Sequence, residues 1–447
     1  MSFTRGIIIA APSSGAGKTV LTLALLRLLS NQNHRVCSAK VGPDYIDPAY
    51  HSVACGKPCY NLDGWAMRDK TIAGILKTLG QQAELVITEG VMGLFDGAFV
   101  GAGYENDGST AALAALIGWP VILVVDAKAQ AQSVAALVGG FANHDGNVNL
   151  SGVVFNRVGS PRHEAILKQA MNDHLPHIPV LGCLPKNDAL LLPERHLGLV
   201  QAREHGDLDV FLDHAAELMD RHIDIDQLID LANLGYQSKF MNAPLSPLPA
   251  LGQHIAIAQD DAFAFAYPST LTGWKNIGCE ISFFSPLADE APAESADAIY
   301  LPGGYPELFA GKLAGNNIFL KALKNHQQKG TVIFGECGGY MVLGDGLIDQ
   351  SGVRHKMAGL LPLETSFAHK KLHLGYRRVK LLNKGVLGHR GMIYRGHEFH
   401  YSSVTQETGV DALFDVETAD GRDLNEVGLK FGNVMGSFIH LIDREIG

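Results

Sequence analysis

The stretch "GIIIAAPSSGAGKTVLTLALLRLLS", Gly6 to Ser30, joins a β-branched run to an apolar-periodic run through a loop of small residues. The first run reads as a buried strand, and the leucine spacing in the second reads as a helix. Between them "APSSGAGKT", Ala11 to Thr19, approximates GxxxxGK[ST], with Pro12 where the first glycine would stand. In that context the backbone N–H groups of the loop, Gly15 and Gly17 included, and the helix N-terminus can hold phosphate oxygens. Lys18 supplies a positive charge, and the Thr19 hydroxyl can ligate Mg²⁺.

Working outward, short β-branched runs recur at 6–12, 35–42, 84–90, 120–127, 150–158 and 179–185. Helix-like stretches such as "KTVLTLALLRLLS" and "STAALAALIG" separate them, so the alternation predicts an α/β fold with a doubly wound parallel sheet. Four prolines in "SKFMNAPLSPLPALGQ", 238 to 253, interrupt all periodicity. This places one α/β domain at 1–240, a linker at 241–253 and a second α/β domain at 254–447. The second strand series is expected at 254–260, 280–286, 297–304, 330–339 and 428–441.

A chain of 447 residues suits two cores, and a composition of 47% hydrophobic and 18% charged residues with 50 glycines is that of an α/β enzyme. A formal charge of −10 without a basic cluster argues against nucleic acid as the partner. No run reaches the roughly 18 to 20 apolar residues of a membrane span. Six cysteines without paired metal spacing fit a reducing cytosol, so a cytoplasmic protein is expected.

Acids gather after the next strands. "KVGPDYIDPAYH" supplies Asp44 and Asp47, and "ITEGVMGLFDG" supplies Glu89 and Asp96. Carboxylates at the carboxyl edge of a parallel sheet, beside a phosphate loop, are where Mg²⁺ on a nucleotide must be held. Turn and capping roles are the alternative for each acid taken singly. Ser109 or Thr110 reads as a helix cap, with nucleotide contact the alternative. Asn156, Arg195 and His196 lie beyond the fifth and sixth strands, where a base or an acidic substrate could sit.

The second domain centres on "VIFGECGGYMVLG", Val332 to Gly344. A strand, a sharp turn at Cys337 and a helix from Gly338 would expose the thiol at a sheet edge, with the helix N-terminus lowering its pKa. "GNVMGSFIHL" delivers His440 as general base, at the end of a late strand. "LPGGYPE" brings Gly303 and Gly304, whose N–H groups can join that of Gly338 as an oxyanion hole.

GxCxG with a distant histidine resembles the class I glutamine amidotransferases, in which the cysteine attacks the glutamine side-chain amide and releases ammonia. Many members carry a Glu two residues after the histidine; here Ile442 stands there, with Asp443 one further as a candidate orienter. The whole series "KVGPDYIDPAYH", "NLDGW", "EGVMGLFDG", "LPERHLGL", "SPLADE", "LPGGYPEL", "ECGGYMVLG" and "RGHEFHYS" resembles the corrin-ring a,c-diamide synthases over essentially the full length. "GLVQAREH" and "LPLETSFAHKKLHLGYR" resemble the branch acting on hydrogenobyrinic acid.

The resemblance implies a dethiobiotin-synthetase-like P-loop domain followed by a class I amidotransferase domain. It implies a ligase that phosphorylates the a and c acetate carboxylates of a corrin with ATP and Mg²⁺ and converts them to amides with ammonia from glutamine. Gly15, Gly17, Lys18, Thr19 and Asn156 would hold nucleotide; Thr19, Asp47 and Glu89 the metal; Asp44 and Asp96 the carboxylate being activated. Cys337 and His440 would carry glutaminase chemistry. A homodimer is expected. His397, Glu398 and His400 match a family motif of open role, and their His-x-x-His spacing lacks a third zinc ligand. Alternatives are cobyrinic acid as substrate, a related tetrapyrrole ligase such as nickel-sirohydrochlorin a,c-diamide synthase or cobyric acid synthase, and an ATP-driven regulatory protein with a glutamine-binding domain.

Overall fold

The computed structural model describes residues 5–101, 106–190, 194–195, 198–199, 201–232 and 244–445. The chain forms two compact units: one holds the first 65 residues, 72–98 and most of 105–243, the other 66–71, 99–101 and the chain from Pro244 onward.

The first unit is built on seven parallel strands: β1 (Arg5–Ala10), β2 (Val36–Val41), β3 (Tyr60–Leu62), β4 (Leu85–Glu89), β5 (Val121–Asp126), β6 (Leu150–Val158) and β7 (Val180–Pro185). Their order is β3-β2-β4-β1-β5-β6-β7. Ile7, Ile8 and Ile9 are all fully buried, as consecutive residues must be in a sheet covered on both faces. Helix α1 (Lys18–Asn31) buries Leu21, Leu23, Leu25, Leu26, Leu28 and Leu29, so apolar residues cover it nearly all round, as in a helix enclosed by its neighbours. The doubly wound parallel sheet is the one expected. The short edge strand β3 was not, because three residues carry no readable period. Of the "LPERHLGL" stretch, Arg195 lies in a two-residue strand β8 (Glu194–Arg195) paired with β9 (Gly198–Leu199), and His196 falls outside the described residues.

The second unit starts as expected, with parallel strands β10 (His254–Ala258), β11 (Glu280–Phe284), β12 (Ala298–Leu301) and β13 (Val332–Glu336). Of the stretch read as a linker, 241–243 lie outside the described residues, while Leu248 and Leu251 belong to the second unit's core. After β13 the sequence reading was incomplete. Residues 346–366 give β14 (Gly346–Ile348), β15 (Arg354–Lys356) and β16 (Leu363–Ser366). Then follow β17 (His373–Leu381), β18 (Ile393–His400), β19 (Ser403–Glu407), β20 (Asp411–Thr418), β21 (Asp423–Phe431), β22 (Val434–Ser437) and β23 (Ile439–Arg444). The single strand expected at 428–441 is three: β21 turns at Gly432, whose φ of 60° suits glycine, and the chain breaks again at Phe438. The main sheet runs β11-β10-β12-β13-β22-β21-β20-β17-β18-β23, parallel through β22 and antiparallel beyond it. That order carries His440, near the start of β23, to a strand pairing with β18 in which His440 faces His397.

Candidate active site

In the first unit the loop between β1 and α1 is held by Lys18, whose Nζ donates to the Met92 carbonyl, and by Asn156. The Asn156 Nδ2 donates to the Ala16 carbonyl at 2.9 Å while its Oδ1 accepts the Arg157 N–H at 2.8 Å. Gly17 has φ of 103°, and a Cβ there would lie 2.3 Å from Asn156 Nδ2. Gly15 also has positive φ, 78°. Beside the loop a cavity of about 100 Å³ is lined by Gly17, Leu21, Asn156, Arg157, Pro185 and Met219 among others.

The Thr19 hydroxyl donates to Glu89 Oε1 at 2.6 Å. Lys40 Nζ lies 2.7 Å from Asp47 Oδ2 and 2.9 Å from Glu89 Oε1, and His51 Nε2 lies 2.7 Å from Glu89 Oε2. Burial pushes the Glu89 carboxyl up, but Lys40, His51 and Thr19 outweigh it and hold it low. Asp47 goes the other way: burial, with Asp44 adding to it, pushes it up to about 7 against the pull of Lys40. Burial lowers the Lys18 pKa, which Glu89 partly restores. Thr19, Asp47 and Glu89 therefore converge. Asp44 and Asp96 each spend one oxygen on their own loop: Asp44 Oδ1 accepts the Ile46 and Asp47 N–H groups, and Asp96 Oδ2 accepts that of Gly93. Both still reach the cluster electrostatically, Asp44 at Asp47 and Asp96 at Lys18.

Lys40 and His51 were missed by the sequence reading, although Lys40 left a trace. Lys40 is the one charge inside an apolar strand, which demands buried acid partners. Ser109 is the cap expected, its Oγ accepting the Ala112 N–H, and the Thr110 hydroxyl bonds both Val91 backbone groups.

In the second unit Cys337 sits between β13 and the helix Gly338–Leu343 with φ of 49° and ψ of −106°. This is sparsely populated space for a residue with a side chain, the strain expected at a nucleophile turn. The Cys337 N–H donates to the Ser437 carbonyl at 2.8 Å. A Cβ on Gly303 would lie 2.3 Å from His440 Cε1, 3.0 Å from His440 Nε2 and 3.3 Å from Cys337 Cβ. One point between the Cys337 Cβ and the imidazole is thus kept open by a missing side chain, and the Cys337 Sγ lies 3.9 Å from the Phe399 carbonyl oxygen. A Cβ on Gly338 would approach the Gly304 nitrogen to 3.1 Å, which puts those two backbones side by side next to the thiol.

The electrostatics correct one expectation. The Gly338 N–H does favour the thiolate, but burial, then Glu307, dominates and pushes the Cys337 thiol well above its ordinary value. A six-residue helix end does not offset removal from water. His440 is pushed down to about 3 by burial, with His397 and His400 adding to it. The resting pair is neutral thiol and neutral base. Asp443, the candidate orienter, is committed elsewhere: it takes the Arg68 side chain at 2.6 Å and the Arg68 N–H at 2.9 Å.

The "RGHEFHYS" motif forms a network. Arg377 Nε donates to Glu398 Oε2 at 2.7 Å, His400 Nε2 lies 3.0 Å from Glu398 Oε1, and Ser402 Oγ lies 2.9 Å from His400 Nδ1. His373 stacks on His400 with ring centroids 4.7 Å apart and planes at 6°. His373, Glu398 and His400 are close enough to share a cation. Two features oppose it: a guanidinium already holds the carboxylate, and rings in parallel planes cannot both aim lone pairs at one ion. Arg377 and His373 were also missed, since the antiparallel strand β17 that presents them was not read.

Residues 7–200 match the CobQ/CobB/MinD/ParA nucleotide binding domain family, and residues 254–445 match the CobB/CobQ-like glutamine amidotransferase domain family. Among curated proteins, hydrogenobyrinate a,c-diamide synthase of Brucella anthropi is 51% identical over 440 residues, 98% of each chain. The protein of that name from Brucella abortus is 53% identical over 442 residues, again 98% of each chain. Its counterpart in Rhizobium meliloti is 48% identical over 98% of this chain and 99% of its own.

Proposed function

The chain belongs to the hydrogenobyrinate a,c-diamide synthase family, and from that premise we propose that it uses ATP and glutamine to convert the a and c acetate carboxylates of hydrogenobyrinic acid into amides, a step of cobalamin biosynthesis. The observation that carries this reading is that similarity to these synthases runs through both units at 98% coverage, so one chain contains a glutaminase unit and a nucleotide unit.

In the glutaminase unit Cys337 Sγ attacks the carboxamide carbon of glutamine and its proton passes to His440, a neutral acceptor. The N–H groups at Gly303, Gly304 and Gly338 face the developing oxyanion. The imidazolium returns its proton to the departing ammonia, leaving a glutamyl thioester that water cleaves to glutamate with His440 again as base. The open point at Gly303, between His440 and the Cys337 Cβ, supports this assignment.

In the nucleotide unit a corrin carboxylate oxygen attacks the γ-phosphorus of ATP and ADP leaves. Ammonia then attacks the acyl carbon and phosphate leaves, once per amide. A carboxylate alone is a poor electrophile with a poor leaving group, and phosphorylation changes both. Gly15, Gly17, Lys18 and Thr19 hold phosphate, Asn156 and the adjoining cavity take the base, and Asp44 and Asp96 border the carboxylate. Thr19, Asp47 and Glu89 would hold Mg²⁺, which neutralises phosphate charge when bound. The donor set is of the type a hard cation takes, since all three offer oxygen, and Mg²⁺ would have to share Asp47 and Glu89 with the Lys40 ammonium that holds them. The free thiols, five of them buried, suit the cytoplasm, and a homodimer is the assembly the family resemblance implies. No described helix is long and apolar enough to cross a membrane.

The test is incubation with ATP, Mg²⁺, glutamine and hydrogenobyrinic or cobyrinic acid side by side. The expected product has two carboxyl OH groups replaced by NH₂, made faster from the metal-free acid. Amidation confined to the cobalt acid, or at other carboxylates, contradicts the proposal.

A further inference from the structure

The residue before the nucleophile is an acid at the end of an otherwise apolar strand. Glu336 is 1% exposed, and burial pushes its carboxyl up to about 7, against the pull of the Tyr300 hydroxyl and the Leu441 N–H. Its Oε1 accepts the Leu441 N–H at 3.0 Å and its Oε2 accepts the Tyr300 hydroxyl at 2.6 Å. Leu441 follows His440. On the other side of His440, the Ile439 N–H donates to Ser437 Oγ at 3.2 Å, while the Ser437 carbonyl accepts the Cys337 N–H at 2.8 Å. The backbone on both flanks of the base is therefore tied to two residues beside the nucleophile: Glu336, which precedes Cys337, and Ser437, whose carbonyl accepts the Cys337 N–H. The position two residues after the histidine holds no carboxylate: Ile442 is buried and apolar, a bulge carries the ladder past it, and Asp443 beyond it holds Arg68.

We propose that Glu336 is a positioning residue for the glutaminase reaction, fixing His440 against Cys337 through the Leu441 N–H rather than through the imidazole. The inference rests on the reading of Cys337 and His440 as the glutaminase pair. What the role needs is reach, from β13 across to β23, and not a full negative charge. An amide keeps the same reach: the Gln carbonyl can accept from Leu441, while its NH₂ can donate to the Tyr300 oxygen, reversing the bond that the carboxylate accepts from the Tyr300 hydroxyl.

The experiment compares Glu336→Gln and Glu336→Asp in the full chain, measuring kcat and KM for glutamine hydrolysis, with Cys337→Ala as control. Asp keeps the charge and shortens the arm by one methylene, so kcat should fall by about tenfold or more with KM little changed, the signature of a misplaced base. Gln keeps the reach and should stay within about threefold of the parent rate. The inference is overturned if Glu336→Asp turns over normally, if Glu336→Gln falls as far as Glu336→Asp, or if only KM moves. Should Glu336→Asp fail to fold, Glu336→Gln decides alone, retained kcat supporting the role and a tenfold loss overturning it. If Cys337→Ala still hydrolyses glutamine, the glutaminase reading itself fails, an outcome separate from all of these.

Discussion

Cys337 pays for its position in conformational strain and in burial, and both leave a measurable trace. Its thiol is held above the ordinary range, so the thiolate fraction at neutral pH is small and grows only as pH rises. His440, pushed down to about 3, carries no proton through the whole neutral range. Alkylation of Cys337 by iodoacetamide should therefore accelerate steadily with pH through 9 without an earlier plateau. A plateau below pH 7 would mean a preformed thiolate–imidazolium pair. Gly303 is the second residue on which the site turns. Gly303→Ala drives a methyl into the His440 ring and should cut glutamine hydrolysis by about 10²-fold or more, leaving ammonia-driven synthesis intact. Normal hydrolysis by Gly303→Ala would remove the open point at Gly303 from the account.

At the scale of elements, β23 is held at both ends. Near its start Glu336 and Ser437 clamp the backbone beside His440, and near its end the buried Asp443 binds the Arg68 guanidinium. Asp443→Ala leaves that cation largely buried without its partner and should cost about 3–5 kcal/mol in urea unfolding, while glutamine turnover per folded molecule is kept. Unchanged stability with lost turnover would instead make Asp443 an orienter of His440. The parallel strands were legible in the sequence because continuous β-branched runs bounded by glycine have few other readings. The P-loop, the GxCxG turn and the converging acids were legible because their chemistry dictates residue types at short spacings. The strands from β14 to β20, most of them antiparallel, were not. In "HLGYRRVKL" only Val379 and Leu381 are buried apolar residues, and the buried Arg377 stands in register with them, so a charge on the inner face breaks the apolar alternation. With those strands went His373 and Arg377. Glu336 stood in plain view beside Cys337, but its partner is a backbone N–H more than 100 residues later, which no local pattern reveals.

At the scale of the whole molecule, the central claim is a division of labour: one unit releases ammonia from glutamine and the other activates a carboxylate with ATP. Lys18 and Cys337 stand for the two halves, in different units. The most direct measurement is corrin amidation by Lys18→Ala and Cys337→Ala, each supplied with glutamine or with ammonia. Cys337→Ala should lose the glutamine-driven reaction and keep the ammonia-driven one near the parent rate, whereas Lys18→Ala should lose both. Failure of ammonia to rescue folded Cys337→Ala, or ammonia-driven synthesis by Lys18→Ala at the parent rate, would contradict the account.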